Sequence, residues 1–446
     1  MTSSRPFTAQ HSSDAPSPAA PPRDEPSSFR RSLIAANIGG AIEWFDWNVY
    51  AVFAPFFAAR FFHTANPVSA LLSTLAVFAV GFLMRPLGSV LFGRLADRRG
   101  RKVSLTVSIT LAAAGGLLIA VTPDYGTIGV LASVLLLVAR TAQGIAHGGE
   151  VGASYTYVAE IAPPGRRGLW SSTSYISVTL GTMAATGLGA LLSAVLTDDQ
   201  LHTWGWRIPF ALGALFALYS IYLRRNLAES TAFGTTKPYP KASDGPSRAS
   251  FALLWRHRRP ALLSMGLTMG GTVGFYTWVV FAPSYAVSAK GMSATSALVA
   301  GLLAQCVFLV TLPVAGHLSD RFGRKPVYYV CAVGYVVLPF PLDWMVRGAF
   351  WQLFVAMSIA LMVMAFSSSI IGVFFAELFP TEIRATGVGV PYSVAVALFG
   401  GSAPYLNTWL SGMGLHAVFT GYLVALSAVS VVCLRLLPET RGRTLS

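Results

Sequence analysis

The stretch GRLADRRGRK (Gly93–Lys102) recurs, slightly changed, as GHLSDRFGRK (Gly316–Lys325), 223 residues further along the chain. A second pair of related stretches, AEIAPPGRRG (Ala159–Gly168) and AELFPTEIRATG (Ala376–Gly387), recurs at an offset of 217 residues. Two motifs at nearly the same offset indicate an internal repeat, so the chain is predicted to consist of two similar halves.

Apolar runs surround these motifs along almost the whole chain of 446 residues. Hydrophobic residues make up 54% of the sequence, whereas Asp, Glu, Lys and Arg together make up only 11%. A soluble domain has about 25% charged residues, and a helix needs about 20 residues to cross the roughly 30 Å of hydrocarbon in a bilayer. We therefore predict an all-α membrane protein with twelve transmembrane helices, six in each half, and no enzymatic activity.

Composition divides the chain into five parts. Residues 1–29 are rich in Ser, Pro and Ala and are predicted to form a disordered tail. Residues 30–225 and 260–437 are the predicted six-helix bundles, and residues 226–259 are the linker between them. Residues 438–446 form a second, short tail.

The distribution of basic residues predicts the orientation in the membrane. Of the 32 Lys and Arg residues, 26 lie in the termini and in loops on one side, and three lie in loops on the other side, at Arg60, Lys290 and Arg347. Because cytoplasmic loops carry the excess of Lys and Arg, both termini are expected in the cytoplasm, and the protein in a bacterial cytoplasmic (inner) membrane. The net charge of +14 does not indicate nucleic-acid binding, because the charges form short clusters between apolar runs.

Ionisable residues inside the predicted helices are the main indication of function, because a charge in the bilayer is costly and usually has a role there. Most of them lie in the first half, and the second half contributes mainly aromatic and neutral polar residues. The residues predicted to bind substrate are Tyr50, Arg85, Arg140, Arg207, Tyr276 and Tyr392. The residues predicted to couple transport to protons are Glu43, Asp46 and Glu150.

These residues suggest the uptake of an anionic metabolite together with protons. A buried carboxylate can take up and release a proton, and a buried arginine offers a planar fork that fits a carboxylate. Other interpretations remain open. Arg85 could extend to the headgroups, Glu43 could pair with a loop arginine, and Arg140 could have a purely structural pairing with Glu150 or Asp46. Tyr276 and Tyr392 could be ordinary packing residues.

The repeated motif itself predicts a gate on the cytoplasmic side. Its turn is expected to bring Asp97 to a helix N-terminus, where the helix dipole favours an anion, and its arginines can reach acids on neighbouring helix ends. Such a network can close one side of a transporter and break in its other state. The predicted gate residues are Asp97, Arg98, Arg101 and Glu160 in the first half, and Asp320, Arg321, Arg324 and Glu377 in the second.

The chain resembles the major facilitator superfamily, and within it the metabolite:proton symporters, which include α-ketoglutarate, citrate, shikimate and proline/betaine carriers. Among these it is most similar to the α-ketoglutarate permeases, except that Arg99 stands where those often have histidine. The stretches that carry the resemblance are IEWFDW (Ile42–Trp47), GFLMRPLGSVLFGRLADRRGRK (Gly81–Lys102), RTAQGIAHGGEVGAS (Arg140–Ser154), WGWRIPFALGA (Trp204–Ala214) and RRNLAES (Arg224–Ser230). The resemblance implies symport by alternating access, and it adds Gln143 to the positions that match family motifs.

Rival functions fit the sequence less well. Drug antiporters usually carry a proline-containing motif in helix 5, which is absent from SYISVTLGTMAATGLGALL (Ser174–Leu192). A sugar carrier is suggested by LPETRG (Leu437–Gly442), although sugar sites have no evident use for membrane arginines. A sensor would need a signalling domain, and we see none. A zwitterion such as proline or betaine, or shikimate or citrate, remains an alternative solute.

The expected partners are a small carboxylate, protons and the lipid bilayer, and the protein is expected to function as a monomer. Its three cysteines lie within apolar runs and form no spaced metal or disulfide motif. We therefore expect no cofactor and no metal ion.

Overall fold

The apolar runs form long helices in a computed structural model that describes residues 26–63, 66–99, 101–148, 151–163, 165–226 and 254–443. Within the described helices, some side chains lie outside the description, at positions 26–36, 93–94, 96–99, 101–102, 104–105, 151–154, 220–226 and 382. Most of the predicted first tail and of the linker over 226–259 therefore lies outside the described residues. The first helix already begins at Pro26, within the predicted tail.

Six spans form the first half, and several of them consist of two consecutive helices. They are α1 (Pro26–Phe61), α2 (Pro67–Leu83 and Arg85–Arg99), α3 (Arg101–Val121), α4 (Val130–His147 and Val151–Ile161), α5 (Arg167–Val195) and α6 (Arg207–Asn226).

Six further spans form the second half. They are α7 (Arg258–Phe275, Tyr276–Phe281 and Ala282–Lys290), α8 (Ala294–Phe322), α9 (Arg324–Val337 and Pro339–Met345), α10 (Phe350–Ser368 and Ile371–Ala376), α11 (Arg384–Ala395, Val396–Gly400 and Ala403–Gly412) and α12 (His416–Leu436). The predicted all-α fold with two six-helix halves is confirmed.

Length and hydropathy agree with membrane spans in the described part of the chain. Eight helices are each long and apolar enough to cross a bilayer, and the bent pair that forms α9 makes a ninth. Two shorter apolar helices are Thr106–Val121 in α3 and Arg207–Tyr219 in α6. Together with α1, they complete the twelve spans.

Helix pairing follows the repeat. In the first half α1 packs on α5, and α3 packs on α4 and α6; in the second half α7 packs on α11, and α9 packs on α10 and α12. Between the halves, α5 packs against α8 and α2 packs against α11, and α4 also contacts α10 and α11. The α5–α8 and α2–α11 interfaces are equivalent, because each becomes the other when every helix is replaced by its counterpart in the other half. The passage between the halves therefore lies at the centre of the molecule, where parallel-repeat transporters bind their solute.

Glycines allow α2 and α4 to cross with their backbones in contact. A Cβ atom on Gly144 would lie 2.1 Å from the carbonyl oxygen of Gly81, and one on Gly148 would lie 1.9 Å from that of Arg85. Small residues at such crossings let membrane helices approach closely. The close crossing brings Arg85 on α2 and Arg140 on α4 to the same depth in the first half.

We predict that Gly144→Ala separates α2 from α4, because its Cβ atom has no space beside Gly81. Forcing an extra methyl group into a packed core typically costs about 1–3 kcal/mol. The thermal unfolding midpoint in detergent measures the effect. Gly421→Ala is the matched control, since its Cβ would meet only Phe340 Cζ, at 4.0 Å. Equal midpoints for the two variants would contradict the close crossing.

Candidate functional site

Two arginines lie over the indole ring of Trp47 in α1. The Cζ atom of Arg85 lies 4.0 Å from the centroid of the Trp47 ring, and the Cζ atom of Arg140 lies 4.2 Å from it. Arg85 also lies over the ring of Phe82, and Arg140 over those of Tyr50 and Phe78. Desolvated cation–π contacts of this kind contribute about 2 kcal/mol or more each. The aromatic rings therefore stabilise two positive charges away from water.

Both guanidinium groups retain unused hydrogen-bond donors. Arg140 is 0% exposed and Arg85 is 7% exposed. The Nε atom of Arg85 and the Nε and Nη2 atoms of Arg140 are buried without a hydrogen-bond partner among the described residues. Within the same residues, no carboxylate lies within 4.0 Å of either guanidinium. Arg85 is therefore buried among the described helices, and both guanidinium groups have N–H donors without an acceptor among the described residues.

A chain of hydrogen bonds leads from Arg140 to Asp46. Arg140 Nη1 donates to Gln143 Oε1 at 2.9 Å, and Gln143 Nε2 donates to Asp46 Oδ2 at 2.9 Å. The amide thus places a neutral group between the two charges. Glycines make room for it, because a Cβ on Gly115 would lie 2.7 Å from Gln143 Cγ, and one on Gly116 would lie 3.3 Å from Asp46 Oδ1.

His147 lies between the two acids of α1. Its Nδ1 atom is 3.1 Å from Glu43 Oε1, and its Nε2 atom is 3.6 Å from Asp46 Oδ2. The imidazole is only 7% exposed and meets the Trp47 ring edge to face, with the two ring centroids 5.4 Å apart. Three ionisable groups are thus gathered next to the arginines. Glu150, the third predicted proton-coupling residue, lies outside the described residues.

The predicted tyrosines lie at different distances from this cluster. Tyr50 is fully buried in it and donates its hydroxyl to the carbonyl oxygen of Thr74 at 2.9 Å. Tyr276 packs against Phe82, with ring centroids 5.3 Å apart, and also lines a cavity between the halves. Tyr392 lines the same cavity, and its hydroxyl lies 3.4 Å from that of Tyr175.

The central cavity between the halves has mainly aromatic and hydroxyl-bearing walls. The first half contributes Trp44 and Tyr175, and the second half contributes the larger share. Its second-half lining is Thr268, Gly271, Thr272, Phe275, Tyr276, Tyr328, Ser367, Ser368, Ile371, Tyr392 and Val396. Tyr276 joins this cavity to the arginine cluster, because its ring contacts Phe82, on which Arg85 lies.

Arg207 is not part of the cluster. Its Nη1 atom donates to the carbonyl oxygens of Ala120 and Thr122, at the end of α3 far from the basic loops. There it ties α6 to the loop that follows α3. The structure therefore separates Arg207 from the other residues predicted to bind substrate.

On the side of the basic loops, Asp320 joins the two halves. Its carboxylate accepts hydrogen bonds from the backbone N–H groups of Gly168, at 2.7 Å, and Leu169, at 2.9 Å, in the first turn of α5. A helix N-terminus favours such an anion. Asp320 itself lies in the last turn of α8. The helix N-terminus that it contacts is that of α5, in the other half. The side chains of Asp97, Arg98 and Arg101 lie outside the description, and Arg321 is exposed over the ring of Phe322.

Arg324 connects Asp320 to the C-terminal segment. Its Nη1 atom lies 2.8 Å from Asp320 Oδ1, and its Nη2 atom lies 3.3 Å from Glu377 Oε1. Glu377 in turn accepts a hydrogen bond from Thr440 Oγ1 at 2.6 Å. The described part of the predicted tail, residues 438–443, thus packs against the predicted gate residues.

Glu439 fixes this segment to the start of α9. Its two oxygens accept the backbone N–H groups of Arg324 and Lys325, at 2.9 and 3.0 Å. Partial burial by itself would raise the pKa of the Glu439 carboxyl, but backbone N–H donors hold the pKa below its ordinary value. The contact therefore persists at neutral pH and is lost only when the pH falls through that lowered pKa.

An ion pair also crosses between the halves on the same side. Arg384 Nη1 at the start of α11 lies 2.7 Å from Glu160 Oε1 in α4. The halves also touch on the opposite side, where a Cβ on Gly189 would lie 3.3 Å from Leu298 Cδ1, and one on Gly412 would lie 3.4 Å from Val68 Cγ1. The central cavity is thus flanked by contacts on both sides.

Several residues of the site were not singled out from the sequence. Trp47 and His147 occur inside quoted motifs, but no role was assigned to them. The spacing did contain a signal, since Arg140, Gln143 and His147 at i, i+3 and i+7 share one face of α4. No sequence pattern could connect Glu439 or Arg384 to their partners, which lie in distant parts of the chain.

Comparison with known proteins gives a consistent assignment. A model of the Major Facilitator Superfamily matches residues 36–390. The alpha-ketoglutarate permease of Escherichia coli (strain K12) is 38% identical over 92% of this chain and 94% of its own length. The citrate-proton symporter of Klebsiella pneumoniae is 33% identical over 89% of each chain. A putative proline/betaine transporter of Staphylococcus haemolyticus (strain JCSC1435) is 33% identical over 93% of this chain and 89% of its own.

Solved structures agree on the fold. The crystal structure of a D-xylose-proton symporter superposes with a TM-score of 0.74, covering 94% of this chain and 100% of that chain at 21% identity. At this identity the similarity supports the helix arrangement alone.

We predict that Asp320→Asn opens the side of the basic loops, because an amide cannot give two anionic oxygens to α5 and Arg324. A hydrogen bond to a charged group contributes about 1.5–3 kcal/mol, enough to change the open population about tenfold or more. A Ser368→Cys reporter in the central cavity, placed in a background without the native cysteines, should react faster with a water-soluble thiol reagent added on that side.

The matched control for this prediction is Asp343→Asn, an acid of the same half that pairs with His416 at the opposite end. Its reporter should react at the unchanged rate. Identical rates for Asp320→Asn and the parent protein would show that the carboxylate does not hold the gate.

Proposed function

The chain belongs to the major facilitator superfamily of membrane transporters, and we propose that it imports a small carboxylate metabolite by proton-coupled symport. The proposed solute is a dicarboxylate such as α-ketoglutarate. The proposed setting is a bacterial inner membrane with both termini in the cytoplasm, in accordance with the excess of basic residues on that side.

The observation that carries this proposal is the pair of buried arginines with unused N–H donors. Buried donors are normally satisfied, and an exception needs an explanation. A solute carboxylate supplies the missing acceptors, and Arg140 can offer its Nε and Nη2 atoms as a bidentate fork. Two guanidinium groups match the two charges of a dicarboxylate.

Proton coupling follows from the charge balance of the same cluster. With neutral His147, the two arginines are balanced by Glu43 and Asp46. A bound dicarboxylate adds two negative charges in a medium of low dielectric, and nearby like charges favour protonation of the acids. Solute and protons are therefore bound together, and the occupied cluster returns towards neutrality before the halves move.

The gate residues supply the conformational part of the cycle. The hydrogen bonds from the start of α5 to Asp320 and the ion pair between Arg384 and Glu160 close the side of the basic loops. Both contacts must break for solute to leave on that side. Alternating access then consists of breaking these contacts while the opposite contacts remain closed.

A zwitterion such as betaine is the second candidate solute. The aromatic walls of the central cavity, which include Trp44, Phe275 and Tyr276, would suit a quaternary ammonium group. This solute would leave one of the two arginines without a counter-charge. Uptake of labelled α-ketoglutarate, citrate, shikimate and betaine by proteoliposomes under an imposed pH gradient distinguishes the candidates.

We predict that Arg140→Ala abolishes uptake of labelled α-ketoglutarate, because each charge-assisted hydrogen bond lost weakens binding by about 1.5–3 kcal/mol. Gel filtration and the unfolding midpoint check that the variant is folded. Arg347→Ala, at a loop arginine that bonds the carbonyl oxygen of Trp344, is the control and should transport normally. Normal uptake by Arg140→Ala would remove arginine from the site.

Asp46→Asn is expected to stop accumulation of solute against its gradient, because the amide cannot bind and release a proton. Collapse of the pH gradient should have the same effect on the parent protein. The ratio of internal to external label at steady state is the measurement. Accumulation that survives either treatment would exclude Asp46 from coupling.

A further inference from the structure

A second cavity lies inside the first half, among α1, α3, α4 and α6. Its ionisable lining consists of Glu43, Asp46 and His147. Small or apolar residues such as Ala112 on α3 and Gly213 on α6 form the rest of its wall, together with the hydroxyl of Ser108. No residue of the second half lines it among those described.

This first-half cavity and the central cavity meet different faces of α1. Glu43 and Asp46 are three residues apart on one face, whereas Trp44 faces the central cavity. Trp47 and the two arginines line neither cavity. The acids are therefore accessible from a space that does not belong to the passage between the halves.

We propose that the transported protons bind to a unit of Glu43, His147 and Asp46 and reach it through the first-half cavity, not through the passage used by the solute. This inference rests on the proposed symport function and deepens it. In this assignment His147 is a proton-binding residue, and Gln143 is the positioning residue that transmits the charge of the unit to Arg140.

The two imidazole nitrogens of His147 support this role. A neutral imidazole has one N–H and can donate to one acid, whereas the imidazolium has two and can donate to both. Nδ1 lies at hydrogen-bond distance from Glu43, whereas Nε2 lies 3.6 Å from Asp46 Oδ2 and has no hydrogen-bond partner among the described residues. A proton added at Nε2 would therefore be directed towards the second acid. Each of the two acids thus has an oxygen within 3.6 Å of a His147 nitrogen, and His147 can exchange protons with either acid.

The proton balance is simple. A hydronium ion in the water of the cavity gives a proton to the unit and leaves a neutral water molecule. The unit then carries one positive charge more, and bound solute compensates that charge near Arg140. On release, the proton returns from the unit to water in the cavity. No covalent bond between heavy atoms is formed or broken.

Few other titratable groups surround the unit among the described residues. Trp47 on α1 contacts both His147 and Arg85, and Tyr155 on α4 interacts electrostatically with Glu43. The lining residues on α3 and α6 carry no titratable side chain. Glu150 on α4 lies outside the described residues and stays a separate prediction.

His147→Gln tests the proton-binding role. It should lose uptake driven by a pH gradient and the acidification of the lumen that accompanies α-ketoglutarate entry, while exchange of labelled for unlabelled α-ketoglutarate continues at a reduced rate. His416→Gln is the matched control, because His416 also pairs with an acid, with Nε2 3.3 Å from Asp343 Oδ2, but lies in the second half. Proton-driven uptake that persists in His147→Gln would overturn the assignment.

Cysteine labelling tests the route without any solute. In a background lacking Cys306, Cys331 and Cys433, Ala112→Cys should react with a water-soluble cationic methanethiosulfonate reagent, and labelling should block proton uptake. Ala114→Cys, which is exposed on the outer face of the same helix, should not react because that face meets lipid. No reaction at Ala112→Cys would show that water does not enter the cavity.

These results separate the two proposals. A parent protein that moves no protons with solute refutes the proposed symport, whatever the labelling shows. A parent protein that is proton-coupled, combined with coupled transport by His147→Gln or an unreactive Ala112→Cys, refutes only the separate proton route.

Discussion

The fully buried charge of Arg140 is the constraint on which the rest of the site depends. A guanidinium without water needs compensation, and a direct carboxylate partner would occupy it permanently. Instead, two kinds of contact stabilise the charge of Arg140. The rings of Trp47 and Tyr50 make cation–π contacts with it, and two hydrogen bonds connect it through the Gln143 amide to the Asp46 carboxylate. Some of its N–H donors therefore remain available. A site that is stable when empty and still able to bind an anion is what a reversible carrier needs.

The two halves have the same helix pairing but different chemistry. The first half holds the charged cluster around Arg140, and its glycines bring α2, α3 and α4 close enough for the side chains of those helices to meet. The second half provides most of the aromatic cavity wall and most of the described gate residues, among them Asp320, which binds the start of α5. Tyr276 is the point of contact between these regions. A change of charge around Arg140 can thus influence how the halves pack against each other.

The sequence predicted the fold well, because the long apolar runs are local patterns and the repeated motifs can be read directly from the chain. It also indicated Asp46, Arg85 and Arg140, since an ionisable residue in a bilayer is conspicuous. It did not reveal His147, whose importance comes from the two acids that α1 places beside it. It also grouped Arg207 with the site, although hydrogen bonds to Ala120 and Thr122 hold that residue at the end of α3 that lies far from the basic loops. The partners of Asp320 on α5 and those of Glu439 on α9 lie more than 100 residues away along the chain, and only the folded structure shows them.

The most direct test of the central claim is an experimental structure of the protein with α-ketoglutarate bound. Our account predicts that one solute carboxylate lies within hydrogen-bond distance of the Nε and Nη2 atoms of Arg140, with the other carboxylate directed towards Arg85. A solute bound with both carboxylates away from these guanidinium groups would contradict it.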